Sequence, residues 1–164
     1  MDKTHEFEEP PRTSGGVALC LACLESGLCR LGFETERLDG VNSAVYELRC
    51  PTRDEGGPGR AHGGWTASAF DEGLGHLPGL LQHDVVTATL TVDFLKPVPV
   101  AVPLRLAARL DRREGRRWYI SGELWLAEPG TILARGRGVW VDVAGMPTLR
   151  PPRRQSESPS SLDP

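Results

Sequence analysis

No stretch of this 164-residue chain approaches the ~20 consecutive apolar residues that a membrane-spanning helix needs. The longest apolar run near the start, Val17 to Leu24, is too short. Glu6, Glu8 and Glu9 before it carry the wrong sign for a secretion signal. The expectation is a cytoplasmic protein with no membrane partner. A basic surplus is also missing: 19 Lys and Arg stand against 22 Asp and Glu, a net charge of −3. Phosphate neutralisation needs such a surplus, so nucleic acid is excluded as a partner. Cysteine is scarce, at positions 20, 23, 29 and 50. Cys20 and Cys23 have zinc-like spacing, but the second pair that a tetrahedral site commonly uses is absent, and no His lies at ligand spacing nearby. No metal is expected, and the cysteines read as reduced, partly buried thiols. There is no internal repeat.

What is present is an ordinary globular composition, 39% hydrophobic and 25% charged, in a length that suits one domain with its own core. Residues 1–16 are polar, with Pro10-Pro11 and Gly15-Gly16. Residues 147–164 are rich in Pro, Ser and Arg. Both read as disordered tails around a single domain at 17–146. Within it, Thr35–Leu38 and Ser43–Cys50 predict two strands joined by a turn at Asp39-Gly40. Pro51–Arg60 reads as a loop. Gly64–Leu77 has an apolar surface and no internal Pro, predicting a buried helix stopped by Pro78-Gly79. Val85–Leu95, Leu104–Leu110, Trp118–Ala127 and Ile132–Val143 read as strands, with a charged turn over Asp111–Arg117 and a turn at Pro129-Gly130. A lone helix followed by an antiparallel meander must bury its apolar side on the sheet, so the class is α+β.

The chemistry-bearing segment is His62-Gly63-Gly64 with Asp71. Two glycines opening a helix let a ligand approach the backbone closely. The free N–H groups of the first turn, with the helix dipole behind them, form an anion site. Asp71 lies seven positions after Gly64, about two turns on, so it shares that side of the helix but sits ~10 Å further along the axis. One chain's Asp71 is therefore too far to serve its own helix N-terminus directly. A two-fold pairing of chains would bring Asp71 of one copy to Gly64 of the other.

His-Gly-Gly with Asp nine residues after the His resembles the phenylacetate-type acyl-CoA thioesterases of the hotdog superfamily, in the wider thioesterase superfamily that includes 4-hydroxybenzoyl-CoA thioesterase-like proteins. The strand from Val85 to Val98, the last strand around Ala134–Val141 and the order of pieces are similar too, over about residues 35–143. The loop Gly57–Gly64 looks especially like members related to the human acyl-CoA thioesterases. The resemblance implies an antiparallel sheet wrapped around one long central helix, in a homodimer that pairs further into a tetramer in some forms. It implies hydrolysis of acyl-CoA, with CoA entering only as part of the substrate and no separate cofactor. Gly63, and with it Gly64, would polarise the thioester carbonyl. Asp71 would act as general base or as nucleophile. Thr87 would orient the water or the Asp, and His62 would shape the loop.

Substrate contacts are expected from Trp65, which either shortens the acyl pocket or packs in a dimer interface, and from Glu72, set against a solvated or Arg-paired role. Lys96, Arg112 and Arg113 are candidates for CoA phosphates, since a guanidinium matches phosphate geometry. His76 and His83 read as ordinary helix-end and loop residues. One departure stands out. Several relatives carry Asn or Gln six residues before the motif His to position water, and here that position is Gly56. Two other readings stay open: a non-hydrolytic acyl-CoA-binding regulator on the same fold, and a thioesterase acting on acyl chains held by a carrier protein.

Overall fold

The structure, a computed structural model, describes residue 7 and residues 9–146. Strands β1 (Phe33–Leu38) and β2 (Ser43–Leu48) form a hairpin. A short 3-10 turn, Thr52–Asp54, leads into a two-stranded ribbon of β3 (Glu55–Gly57) and β4 (Arg60–Ala61), where the sequence predicts a plain loop. The single α-helix among the described residues, α1, spans Gly63–Leu80. β5 (Val85–Phe94), β6 (Leu104–Glu114), β7 (Arg117–Leu126) and β8 (Ile132–Asp142) follow. Six strands make one antiparallel sheet in the order β1-β2-β6-β7-β8-β5, so β5, the strand that follows the helix, lies at the far edge beside β8. This is the expected helix-on-sheet arrangement of the hotdog fold. No helix of the described residues is long and apolar enough to cross a membrane.

Two boundaries differ from the sequence reading. The helix runs through Pro78 instead of stopping before it. Pro78 lacks the N–H that would reach back one turn, a cost of losing one bond near the helix end. Leu74 and Leu77 are fully buried, and their burial holds the last turn in place. The actual stop is Gln82, with φ of 64°: its N–H bonds the Gly79 carbonyl and that of His83 bonds the Pro78 carbonyl, the paired closure of a left-handed C-terminus. The second difference is at Asp111–Arg117. Those charges do not form a turn, because β6 and β7 extend through them and leave only Gly115-Arg116 at the bend.

The helix packs through Thr66, Ala69, Phe70, Gly73, Leu74 and Leu77, spaced three or four apart on one face. The sheet receives them where it has no side chains. A Cβ on Gly136 would fall inside Phe70, and one on Gly122 would meet Leu74 and the Ala107 backbone. Burying a Phe or Leu side chain contributes roughly 1.5–3 kcal/mol.

The two sheet edges are treated differently. Residues 12–18, which the sequence assigns to the first tail and domain start, run beside β1. Glu36 N–H bonds the Gly15 carbonyl, and Val17 is fully buried. The other edge, β5, has no strand partner beyond β8 among the described residues and leaves Val86 and Phe94 more than half exposed. Residues 147–164, expected as the second tail, lie outside the described residues.

The covered edge is fastened by an ionic hub. The buried Glu36 carboxylate meets Arg12 at 3.2 Å and His76 Nδ1 at 2.9 Å, and accepts Ala18 N–H at 3.3 Å. His76 Nε2 lies 3.3 Å from Glu72. Burial works against a charge on His76. The hydrogen bonds to Glu36 and Glu72, with the two carboxylate charges, outweigh it and push the imidazole up to about 9. Because the folded value is raised, the proton's contribution to stability is complete below the ordinary value of 6.5 and is lost as pH rises through about 9. Denaturation midpoints of the wild type are therefore expected to fall between pH 7 and 10. His76→Gln should be less stable at pH 7 and flatter across the same range; equal slopes for the two proteins would contradict the hub.

Candidate functional site

The His62–Asp71 segment builds two separate half-sites on one helix. At its N-terminus, His62 is the cap residue, in extended backbone, and its Nδ1 accepts the Gly64 N–H at 2.9 Å. The imidazole thus presents an unprotonated Nδ1 to the backbone, a capping role usually filled by Ser, Thr, Asp or Asn. The Gly64 amide is consumed by this bond. The Gly63 amide has no acceptor among the described residues and stands at the positive end of the helix dipole. Of the two glycines the sequence singles out, Gly63 is the one left available to an anion. It opens on a cavity of about 260 Å³ formed with Thr66, Phe94, Leu95, Lys96 and Val98. Lys96 is exposed at its rim.

Asp71 forms the second half-site. Thr87, on β5, donates to Asp71 Oδ1 at 2.7 Å. That bond joins the helix to the edge strand and fixes the carboxylate's orientation while leaving Oδ2 free of a hydrogen-bond donor among the described residues. Asp71 faces a cavity of about 360 Å³ shared with Arg30, Leu31, Arg53, Ser68 and Glu72. Gly63 and Asp71 are eight residues apart, ~12 Å along the axis, and open on different cavities. A further concavity, about 560 Å³ on the sheet around Ala107 and Gly122, contains none of these residues.

The other candidates are distributed as follows. Glu72 borders the Asp71 cavity but is tied to His76, whose hydrogen bond holds its carboxyl below the ordinary value against the effect of burial. The charges of His76 and Arg30 act in the same sense. Trp65 is buried, with its indole N–H on the Leu31 carbonyl at 3.1 Å, and lines neither cavity. Arg112 and Arg113 lie at the β6–β7 hairpin, apart from both half-sites. Arg112 pairs with Glu114 at 2.8 Å and covers the Tyr119 ring; Arg113 lies over Trp118 and reaches Asp142. Among the described residues no group of three or more His, Cys, Asp or Glu is placed to hold a metal ion.

Gly56 has a structural explanation. A Cβ there would come within 2.7 Å of His62 Cα and 3.1 Å of its Cβ. The His62 N–H also bonds the Asp54 carbonyl at 2.8 Å, drawing the ribbon onto the cap. His62 occupies the space a side chain at position 56 would need. Sequence reasoning missed Arg30, Arg53 and Ser68 as neighbours of Asp71. Ser68 was legible, one helical turn before Glu72. Arg30 and Arg53 arrive through long-range packing that no local pattern encodes.

Residues 58–133 match the family model of the thioesterase superfamily. The cattle acyl-coenzyme A thioesterase THEM4 is 31% identical over 87 residues, 53% of this chain and 35% of that protein. The rat THEM4 is 27% identical over 122 residues, 72% of this chain and 50% of the relative. This chain thus spans half or less of the length of these curated relatives. Among solved structures, the thioesterase superfamily protein RHA08564 is similar with a TM-score of 0.58 and 27% identity, over 66% of this chain and 54% of that one. The Escherichia coli PaaI protein of the phenylacetic acid degradation operon superposes with a TM-score of 0.65 at 20% identity, over 76% and 86%. The Streptococcus mutans protein smu.793, solved bound to acetyl CoA, does so with 0.63 at 14% identity, over 70% and 90%. One helix on a six-stranded antiparallel sheet and these structural neighbours show the hotdog fold, and within it residues 58–133 are similar to the thioesterase superfamily.

Proposed function

We propose that this chain hydrolyses acyl-CoA thioesters to a free carboxylic acid and CoA, at a site that two copies of the chain build together. The observation that carries the reading is the 2.7 Å bond from Thr87 to Asp71, which leaves an oriented carboxylate facing a cavity, while a free helix-terminal amide lies ~12 Å away on the same helix. One thioester cannot touch both within a chain. It can if a second copy supplies the amide. The open β5 edge with its exposed Val86, Phe94 and Leu95 supports such a pairing, because an unpaired apolar edge strand invites association. The relatives named acyl-coenzyme A thioesterases and the acetyl-CoA-bound neighbour support the substrate class.

In this mechanism a water held by Asp71 attacks the thioester carbon as its proton passes to the carboxylate. The carbonyl oxygen becomes an oxyanion held by the Gly63 amide of the second copy. Collapse expels the CoA thiolate, which takes the proton back from Asp71. Thr87 keeps one carboxylate oxygen fixed so that the other faces the water. His62, by occupying the Gly64 amide, directs the anion to Gly63. Lys96, beside Gly63, supplies a cation for CoA phosphate.

Removing the base, as Asp71→Asn, should lower kcat on the best acyl-CoA by about 10²–10⁴ in a free-thiol release assay. Thr87→Ala should give a smaller loss. Full activity in Asp71→Asn would refute the assignment.

Gly63→Pro tests the amide by itself. Position 63 is the first helical residue, where Pro is well tolerated, and His62 already has the extended backbone that precedes proline. The variant should keep its helix content by circular dichroism yet lose about 10²–10³ in kcat, the usual effect of one oxyanion donor. A folded Gly63→Pro with wild-type kcat would place the oxyanion elsewhere.

A further inference from the structure

Cys20 and Cys23 are not used by the mechanism above, and their placement is unusual for unconnected thiols. Cys23 N–H bonds the Cys20 carbonyl at 2.9 Å, closing a turn that brings the two sulfurs to 3.6 Å. A turn of this kind holds its first and fourth Cα atoms within about 7 Å, inside or near the range a disulfide spans. The two thiols differ in access: Cys20 is exposed and Cys23 is buried. This is the division of labour of a thiol pair in which the outer sulfur meets the oxidant and the inner one resolves it. Cys29 and Cys50 have no such partner among the described residues, and burial pushes both thiols up, Cys50 to about 11, which makes them poor nucleophiles.

The pair is wired to the Asp71 cavity. Cys23 Sγ accepts the Arg30 N–H at 3.2 Å. The Arg30 carbonyl accepts the Arg53 guanidinium, and the Leu31 carbonyl accepts the Trp65 indole N–H. Arg30, Leu31 and Arg53 line the same cavity as Ser68, Asp71 and Glu72. A disulfide requires the sulfurs to approach from 3.6 Å to about 2.05 Å and turns the Cys23 thiol into a poorer acceptor for Arg30. Oxidation therefore moves and weakens the contact that holds this wall of the cavity.

We propose that Cys20 and Cys23 form a reversible dithiol–disulfide couple whose oxidation displaces the Arg30–Leu31 wall of the Asp71 cavity. With a small-molecule disulfide such as oxidised glutathione as oxidant, the Cys20 thiolate attacks one of its sulfurs and releases one thiolate. Cys23 then attacks the Cys20 sulfur of the mixed disulfide and releases the second. Two electrons pass from the protein to the oxidant, and the two protein protons end on the two released thiols. The effect on catalysis rests on the proposed function; the couple itself does not.

The test uses the full chain equilibrated in glutathione buffers of increasing oxidised fraction, quenched by alkylation and denatured. The wild type should fall from four alkylatable thiols to two, with the intact mass lower by two hydrogens and both restored by dithiothreitol. Cys29→Ser should still lose two thiols, while Cys20→Ser, a change at an exposed position, should form no intramolecular disulfide. Hydrolysis by the oxidised wild type should show kcat/KM lowered severalfold, and Cys20→Ser should be insensitive to the buffer. Four thiols persisting throughout, or glutathione held on Cys20 without closure, would overturn the couple. Closure with unchanged kcat/KM would overturn the link to the cavity. Absence of hydrolysis in the reduced protein would count against the proposed function, and the thiol count would still decide for or against the couple.

Discussion

The contact between α1 and the glycine positions of the sheet governs the rest of the molecule. Phe70 fits over Gly136 and Leu74 over Gly122 because neither strand position carries a side chain. The close approach fixes the height and rotation of the helix together. With the helix so held, its outward residues have no freedom of placement. Gly63 projects its amide at one end and Asp71 faces the edge strand at the middle. Thr87 can then reach the carboxylate at 2.7 Å only because β5 lies in register beside β8 at that edge. Interiors packed at crystal-like density transmit such constraints with little slack.

From this follows a division of the sheet's edges. The segment around Arg12–Val17 covers β1, and its Arg12 enters the buried hub of Glu36 and His76 that grips the helix from behind. A buried carboxylate with two cationic partners and a backbone donor is satisfied, whereas loss of one partner would strand a charge. β5 has no equivalent cover among the described residues. The covered edge serves the fold, and the open edge stands beside the half-sites. The Cys20–Leu31 strap joins the two regions, passing from the covered edge to the wall of the Asp71 cavity.

Local patterns made much of this legible. The helix, the meander and the hairpin of β1 and β2 follow from periodicity and turn residues, and the family resemblance offered a contact of Thr87 with Asp71 as one of two alternatives, the other being with water. The failures have a common cause. Pro78 reads as a stop, but buried Leu74 and Leu77 hold the turn around it. The Asp111–Arg117 charges read as a turn, but they continue the β6–β7 ladder: Arg112 lies over Tyr119 of the neighbouring strand and pairs with Glu114 along its own. His76 reads as an ordinary helix-end residue because its partner Glu36 lies 40 residues away. The capture of the Gly64 amide by His62, and the filling of the Gly56 space by the same residue, are side-chain geometry that spacing alone does not express.

The central claim is that Asp71 of one copy and the Gly63 amide of another act on the same thioester. It is tested most directly by mixing two inactive subunits, Asp71→Asn and Gly63→Pro, carrying different tags, and isolating the mixed dimer. In such a dimer one site has lost both groups and the other has both intact. The purified mixed dimer should therefore recover about half of the wild-type rate of CoA release. A mixed dimer no more active than its two parents would contradict a site shared between copies.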